Sequence, residues 1–106
     1  MKVLVVYYSK YGHVLALARA VAEGVGSVAG VEPMLRRVAE FPEVERAIQE
    51  DRYAGPVWEE QQSIPVCTLD DLKAADGVVF GSPTRFGNMI AQMKSLIDSA
   101  AGLWME

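Results

Sequence analysis

Two short turns hold most of the side chains in this sequence that could do chemistry. The first, Ser9-Lys10-Tyr11-Gly12-His13-Val14, separates an apolar run from a stretch of helical periodicity. Such a turn presents the unpaired N–H groups and positive dipole end of a helix start, which favour an anion such as phosphate. Small Ser9 and Gly12 let the backbone close around that group. No Gly-Lys-Ser/Thr ends the turn, and it is not a Gly-x-Gly-x-x-Gly fingerprint, so a short phosphate fits better than a triphosphate. The competing reading is a plain helix start capped by Ser9 or His13. His13, the only histidine, either donates to the phosphate or stands exposed in the first helical turn; without a Cys or His companion it holds no metal.

The second turn, Gly81-Ser82-Pro83-Thr84-Arg85-Phe86-Gly87-Asn88, is stiffened by proline and carries a glycine towards either end, so its backbone can approach a flat polar ring. Phe86, Tyr11 and Trp104 offer apolar faces for stacking on such a ring. Arg85 reads as a ligand contact or an ordinary surface cation. Each turn alone is a weak signal. Together they matter, because ligands of open parallel sheets collect where the strand order reverses, at the carboxyl ends of the strands.

The elements that position these turns are legible in the apolar pattern. Lys2 to Tyr8 reads as a strand covered on both faces, as in parallel sheets. Val14, Leu17, Ala18, Val21 and Val25 form a stripe at helical spacing, with Gly24, Gly26 and Gly30 as its stop. Val31 to Val38 follows as a second strand, which Pro33 assigns to a sheet edge. Glu40 to Val66 holds three of the five prolines and seven acids against two bases, and is expected to be an acidic insertion, a solvated surface loop with one short helix at Glu43 to Asp51. Thr68 and Asp71 suggest a capping box opening a helix through about Ala75. Cys67 beside them reads as a small apolar filler. Gly77 to Gly81 is a third strand, and from Asn88 onward Met89, Ile90, Met93, Leu96, Ile97 and Ala100 fall on one helical face, closed by Gly102. The sum is an α/β fold with three parallel strands in spatial order 2-1-3, leaving the apolar third strand without a neighbour on its far side.

Composition narrows the function. At 106 residues the chain has room for one domain, and its net charge of −4 offers no broad cationic surface for nucleic acid or anionic lipid. One cysteine builds no disulfide, which suits a reducing cytosol. No stretch approaches the length of a spanning helix, and no export or lipidation signal is evident. A soluble, cytoplasmic protein is expected.

Ser-x-Tyr-Gly-His at Ser9 to His13 and Pro-Thr-Arg-Phe-Gly-Asn at Pro83 to Asn88 form a specific pair. With Lys2 to Val14, Ala18 to Gly24, Gly81 to Met89 and Gly102-Leu-Trp104, they make the sequence resemble the WrbA family of flavodoxin-like NAD(P)H:quinone oxidoreductases. The resemblance implies a three-layer α/β/α sandwich, FMN as cofactor, NAD(P)H as co-substrate, a quinone as electron acceptor, and a homotetramer. It implies that Ser9, Lys10, Tyr11, Gly12, His13 and Val14 hold the FMN phosphate. Thr84, Arg85 and Phe86, with Pro83, Gly87 and Asn88 of the same turn, would surround the isoalloxazine. Tyr11 would also line the nicotinamide side and Trp104 the quinone side. The flavin carries the hydride chemistry, so no general base is sought. The matched pattern is the first half of the family's, lacking two further strands, a glycine-rich third flavin loop and a later histidine. Residues 1–106 are therefore expected to form a partial flavodoxin-like domain, truncated to three strands. The alternative is a non-catalytic FMN or phosphate binder, or an electron-transfer fragment, that needs a partner chain.

Overall fold

The computed structural model describes residues 1–104, Trp104 by its backbone alone. Its centre is β1, Lys2–Tyr7, whose Leu4, Val5, Val6 and Tyr7 are all but inaccessible to water. β1 pairs in parallel with β2, Glu32–Arg37, on one side and with β3, Gly77–Gly81, on the other, giving the order β2-β1-β3. Alternation along β1 sends its side chains to two separate cores. Leu4, Val6 and Tyr8 join Met34, Val38, Cys67, Ile90 and Met93; Val5 and Tyr7 join Leu15, Ala18 and Ile64 on the opposite face. Each fully buried aliphatic side chain contributes roughly 1.5–3 kcal/mol, so a run of them at one strand specifies a sheet covered on both faces. The expected flavodoxin-like α/β architecture is what the chain adopts.

Helix α1, His13–Gly26, covers one face through Leu15 and Ala18, with Val14 and Ala22 beside them. The expected stripe was turned by about one residue: Leu17 is 67% exposed and Val21 38%. Both rows of the helix are apolar in sequence, so periodicity alone does not choose between them. Helix α4, Leu69–Ala74, opens with both bonds of the capping box, Thr68 Oγ1 accepting from Asp71 N–H and the Asp71 carboxylate accepting from Thr68 N–H.

Three expectations need correction. The acidic segment is not a solvated loop with one helix. It forms α2, Pro42–Glu50, then α3, Ala54–Glu60, and a 3-10 turn at Gln61–Ser63, and it buries Glu40, Ile48, Ala54, Gln61 and Ile64. Its acids line the outer faces, and composition averaged over a helix hides the inner one. The segment also returns to the sheet, where Arg37 N–H donates to Pro65 O and Cys67 N–H to Arg37 O. Secondly, the last helical stripe does not start at Asn88. Thr84–Arg85 (β4) and Asn88–Met89 (β5) pair as a tight antiparallel hairpin, and α5 begins after it, Ala91–Ser99. Thirdly, Gly102 does not end this helix: the break comes at Ala100, and Gly102 lies within α6, Ala101–Trp104.

The outer edge of β3 carries exposed Val78, Val79 and Phe80. Among the described residues, no helix is long and apolar enough to cross a membrane.

Tyr7 is wholly buried, yet its hydroxyl makes no hydrogen bond among the described residues. Burial pushes that hydroxyl up from 10.0 to about 12, and pushes the Cys67 thiol up from 9.0 to about 11. Both groups bind protons more tightly in the folded chain than in the unfolded one. Their contribution is therefore complete below about pH 9 and is lost as pH rises towards 12, which alkaline unfolding monitored by circular dichroism will display. Tyr7→Phe removes a desolvated, unpaired group and is expected to raise stability by about 1 kcal/mol in thermal melts.

Candidate functional site

The first turn leaves β1 at Tyr8, whose N–H donates to Gly81 O at 3.0 Å and so continues the pairing with β3. Ser9 Oγ then accepts the Gly12 N–H at 3.1 Å, folding the turn back on itself. Gly12 is the N-cap of α1 with φ +98, a left-handed conformation that glycine adopts without cost. Neither Ser9 nor His13 makes a side-chain cap bond to the helix among the described residues. Ala16 N–H reaches Gly12 O, while the N–H groups of Lys10, Tyr11, His13 and Val14 find no protein acceptor among the described residues. These donors sit at the positive end of a 14-residue helix. The turn is braced from behind by the acidic segment, with Gln61 Nε2 donating to Ser9 O at 3.1 Å and Val57 lying against Gly12.

The second turn rises from β3 beside it. A methyl group at Gly81 would sit 3.2 Å from Val14 Cγ1 and 3.3 Å from Tyr7 Cβ, so any side chain there would press the start of this turn against the start of α1. Ser82 Oγ accepts the Ile90 N–H at 3.0 Å, closing the loop at the foot of α5. At its tip Phe86 and Gly87 both have positive φ, +51 and +78, the pattern of a type I′ hairpin turn. Phe86 is the one non-glycine residue with such a φ among those described, and it is fully exposed. A strained aromatic held out in water serves no packing purpose, and strain of this kind gathers at functional sites.

The two turns meet. Ser9, Lys10, Tyr11, His13, Val14, Pro83 and Arg85 together line one open cavity of about 200 Å³. Lys10 lies 5.2 Å from the centre of the half-exposed Tyr11 ring, placing a cation and an aromatic face at its mouth. Exposed His13 stands on the same rim. The remaining residues of the second turn divide from this group: Thr84, Gly87 and Asn88 line a neighbouring cavity of about 410 Å³ with Phe80, Met89 and Met93, and Pro83 borders both. Phe86, exposed at the tip between them, is not among the lining residues of either cavity. Trp104, the expected quinone-side residue, closes α6, and its side chain lies outside the described residues.

Sequence reasoning missed Glu40 and Gln92, both buried behind the site. The Tyr8 hydroxyl donates to Glu40 Oε1, and Gln92 Nε2 donates to Glu40 Oε2 at 2.6 Å. Burial, then the bond to Glu40, pushes the Tyr8 hydroxyl far above its ordinary value. Glu40 follows β2 at the carboxyl end of the sheet, the one signal that could have drawn attention to it.

The sequence pattern of the NADPH-dependent FMN reductase family matches residues 1–104. A protein of Syntrophobacter fumaroxidans named NAD(P)H dehydrogenase (quinone) is 51% identical over 105 residues, covering 99% of this chain and 50% of its own length. A protein of the same name from Geotalea daltonii is 48% identical over 106 residues, covering the whole of this chain and 51% of its own. A third, from Geobacter sulfurreducens, is 47% identical over 106 residues. The chain thus spans about half the length of the curated relatives it matches. With a match over nearly every residue, a parallel β2-β1-β3 sheet and two converging turns above it, the chain belongs to the NADPH-dependent FMN reductase family.

Proposed function

We propose that the two turns form part of the FMN seat of an NAD(P)H:quinone oxidoreductase. The observation that carries this reading is the cavity shared by Ser9, Lys10, Tyr11, His13 and Val14 of the first turn and by Pro83 and Arg85 of the second. Free N–H groups, a helix start and Lys10 suit the phosphate. Tyr11, Arg85 and Phe86 supply a face and a charge for the ring, with Thr84, Gly87 and Asn88 at its farther side. When bound, the flavin accepts hydride from NAD(P)H and passes two electrons to a quinone. The chain's own residues then bind, orient and leave one ring face open; Tyr11 borders the nicotinamide and Trp104 the quinone. Residues 1–106 act as one partial flavodoxin-like domain, in a cytoplasmic assembly of four copies. The names of the relatives support the reaction.

Titrating FMN against the 106-residue chain and following its fluorescence tests the seat: saturable one-to-one quenching is expected, and its absence would overturn the assignment. NADH consumption with benzoquinone then separates two readings. The full exposure of Phe86 favours a second one, in which this chain alone holds the flavin without turnover. A yellow but inert protein is its signature.

A further inference from the structure

We propose that Glu40 is a positioning residue, whose carboxylate ties the two ligand turns to each other; its effect on flavin rests on the reading just given. Glu40 is 7% exposed and takes part in no ion pair among the described residues. A buried carboxylate is costly unless hydrogen bonds satisfy it. Three donors from three elements do so. The Tyr8 hydroxyl comes from the end of β1, the Phe41 N–H at 2.9 Å from the start of α2, and Gln92 Nε2 at 2.6 Å from the first turn of α5. Gln92 Nε2 also lies 3.5 Å from the Tyr8 oxygen, so the trio closes on itself.

The placement of these donors is what matters. Tyr8 immediately precedes Ser9, where the first turn begins. Gln92 lies two residues beyond Ile90, whose N–H closes the second turn on Ser82. The foot of α5 is therefore held by its own turn on one side and by the stem of the other turn on the opposite side. Apolar residues would serve a core better than this arrangement, because burying charge rarely adds stability. A hydrogen-bonded joint with fixed directions instead sets how far apart the two turns stand, and ligand affinity depends on that distance to within an ångström. Tyr8 adjoins Ser9, which lines the cavity, so the joint and the cavity wall are neighbours.

Amide resonances of the ligand-free 106-residue chain and FMN titration, applied to the same variants, test the joint. Glu40→Gln puts an NH2 donor in place of one of the two accepting oxygens, so it cannot accept at both the Tyr8 and the Gln92 positions. It is expected to keep a cooperative melt, to shift the amide resonances of Ser82 to Ile90, and to weaken FMN about tenfold, since a hydrogen bond to a charged group is lost. The exchange Glu40→Gln with Gln92→Glu restores a carboxylate–amide pair across the same gap and should recover most of both, a rescue that simple destabilisation would not give. Resonance shifts confined to the surroundings of Tyr8 and Glu40 with unchanged FMN affinity, or no recovery in the exchanged pair, would overturn the proposal. Should Glu40→Gln not fold, Gln92→Met removes only the α5 arm, and unmoved turn resonances with unchanged affinity would be equally decisive. If the parent chain binds no FMN, the flavin reading falls, while the resonances still decide whether Glu40 joins the turns.

Discussion

Replacing Gly12 by valine is expected to weaken FMN binding on the order of 10- to 100-fold, because a β-branched residue forced to positive φ costs roughly 1–3 kcal/mol. Space is not the obstacle. A Cβ at Gly12 would lie 3.5 Å from Val57 Cγ2, an ordinary contact, so the cost resides in the backbone at φ +98. Valine escapes it by rotating out of the left-handed region, which turns the Gly12 N–H away from Ser9 Oγ and disperses the free donors that follow. Gly12→Asn is the control. Asparagine tolerates the left-handed conformation, so it should keep affinity within a few-fold of the parent. Fluorescence titration of both variants tests the point; equal losses would mean that the side chain blocks the ligand rather than the backbone losing its form.

The second large effect has two signs. Phe86→Asn places Asn-Gly at the centre of a type I′ turn, the pairing that such turns favour, and relieves a strained aromatic that packs on nothing. Stability should rise by about 1 kcal/mol, a shift of several degrees for a domain of this size. The same change deletes the aromatic face, and flavin affinity should fall several-fold to tenfold. Thermal melts and FMN titration on one preparation would show the opposed trends. A variant that is less stable, or that binds as tightly as the parent, would refute a role for Phe86 at the ring.

These effects separate what the sequence could reveal from what it could not. The run Lys2 to Tyr8, flanked by a Ser/Gly turn and a helical stripe, dictates a central strand and a helix start, because burial on both faces leaves no polar alternation. Thr68 and Asp71 are equally readable, since a capping box is local. The hairpin at Thr84 to Met89 was hidden: strands of two residues have no periodicity, and Met89-Ile90 sit where a helical stripe would also put them. Glu40 was hidden more deeply. Its neighbours in sequence are Ala39 and Phe41, whereas its hydrogen-bond donors Tyr8 and Gln92 lie 32 and 52 residues away. Only the folded chain brings them together, so an acidic stretch read by charge alone passes for a wet surface.

The parallel register between β1 and β3 carries a consequence for the ligand. Tyr7 stands opposite Gly81, so both turns depart from the sheet at the same height. A slip of one residue would raise one wall about 3.3 Å above the other and would also present Val78 to the wrong layer. The oily ladder that drives folding is thus a vernier as well: it levels the two lips of the seat before any ligand arrives.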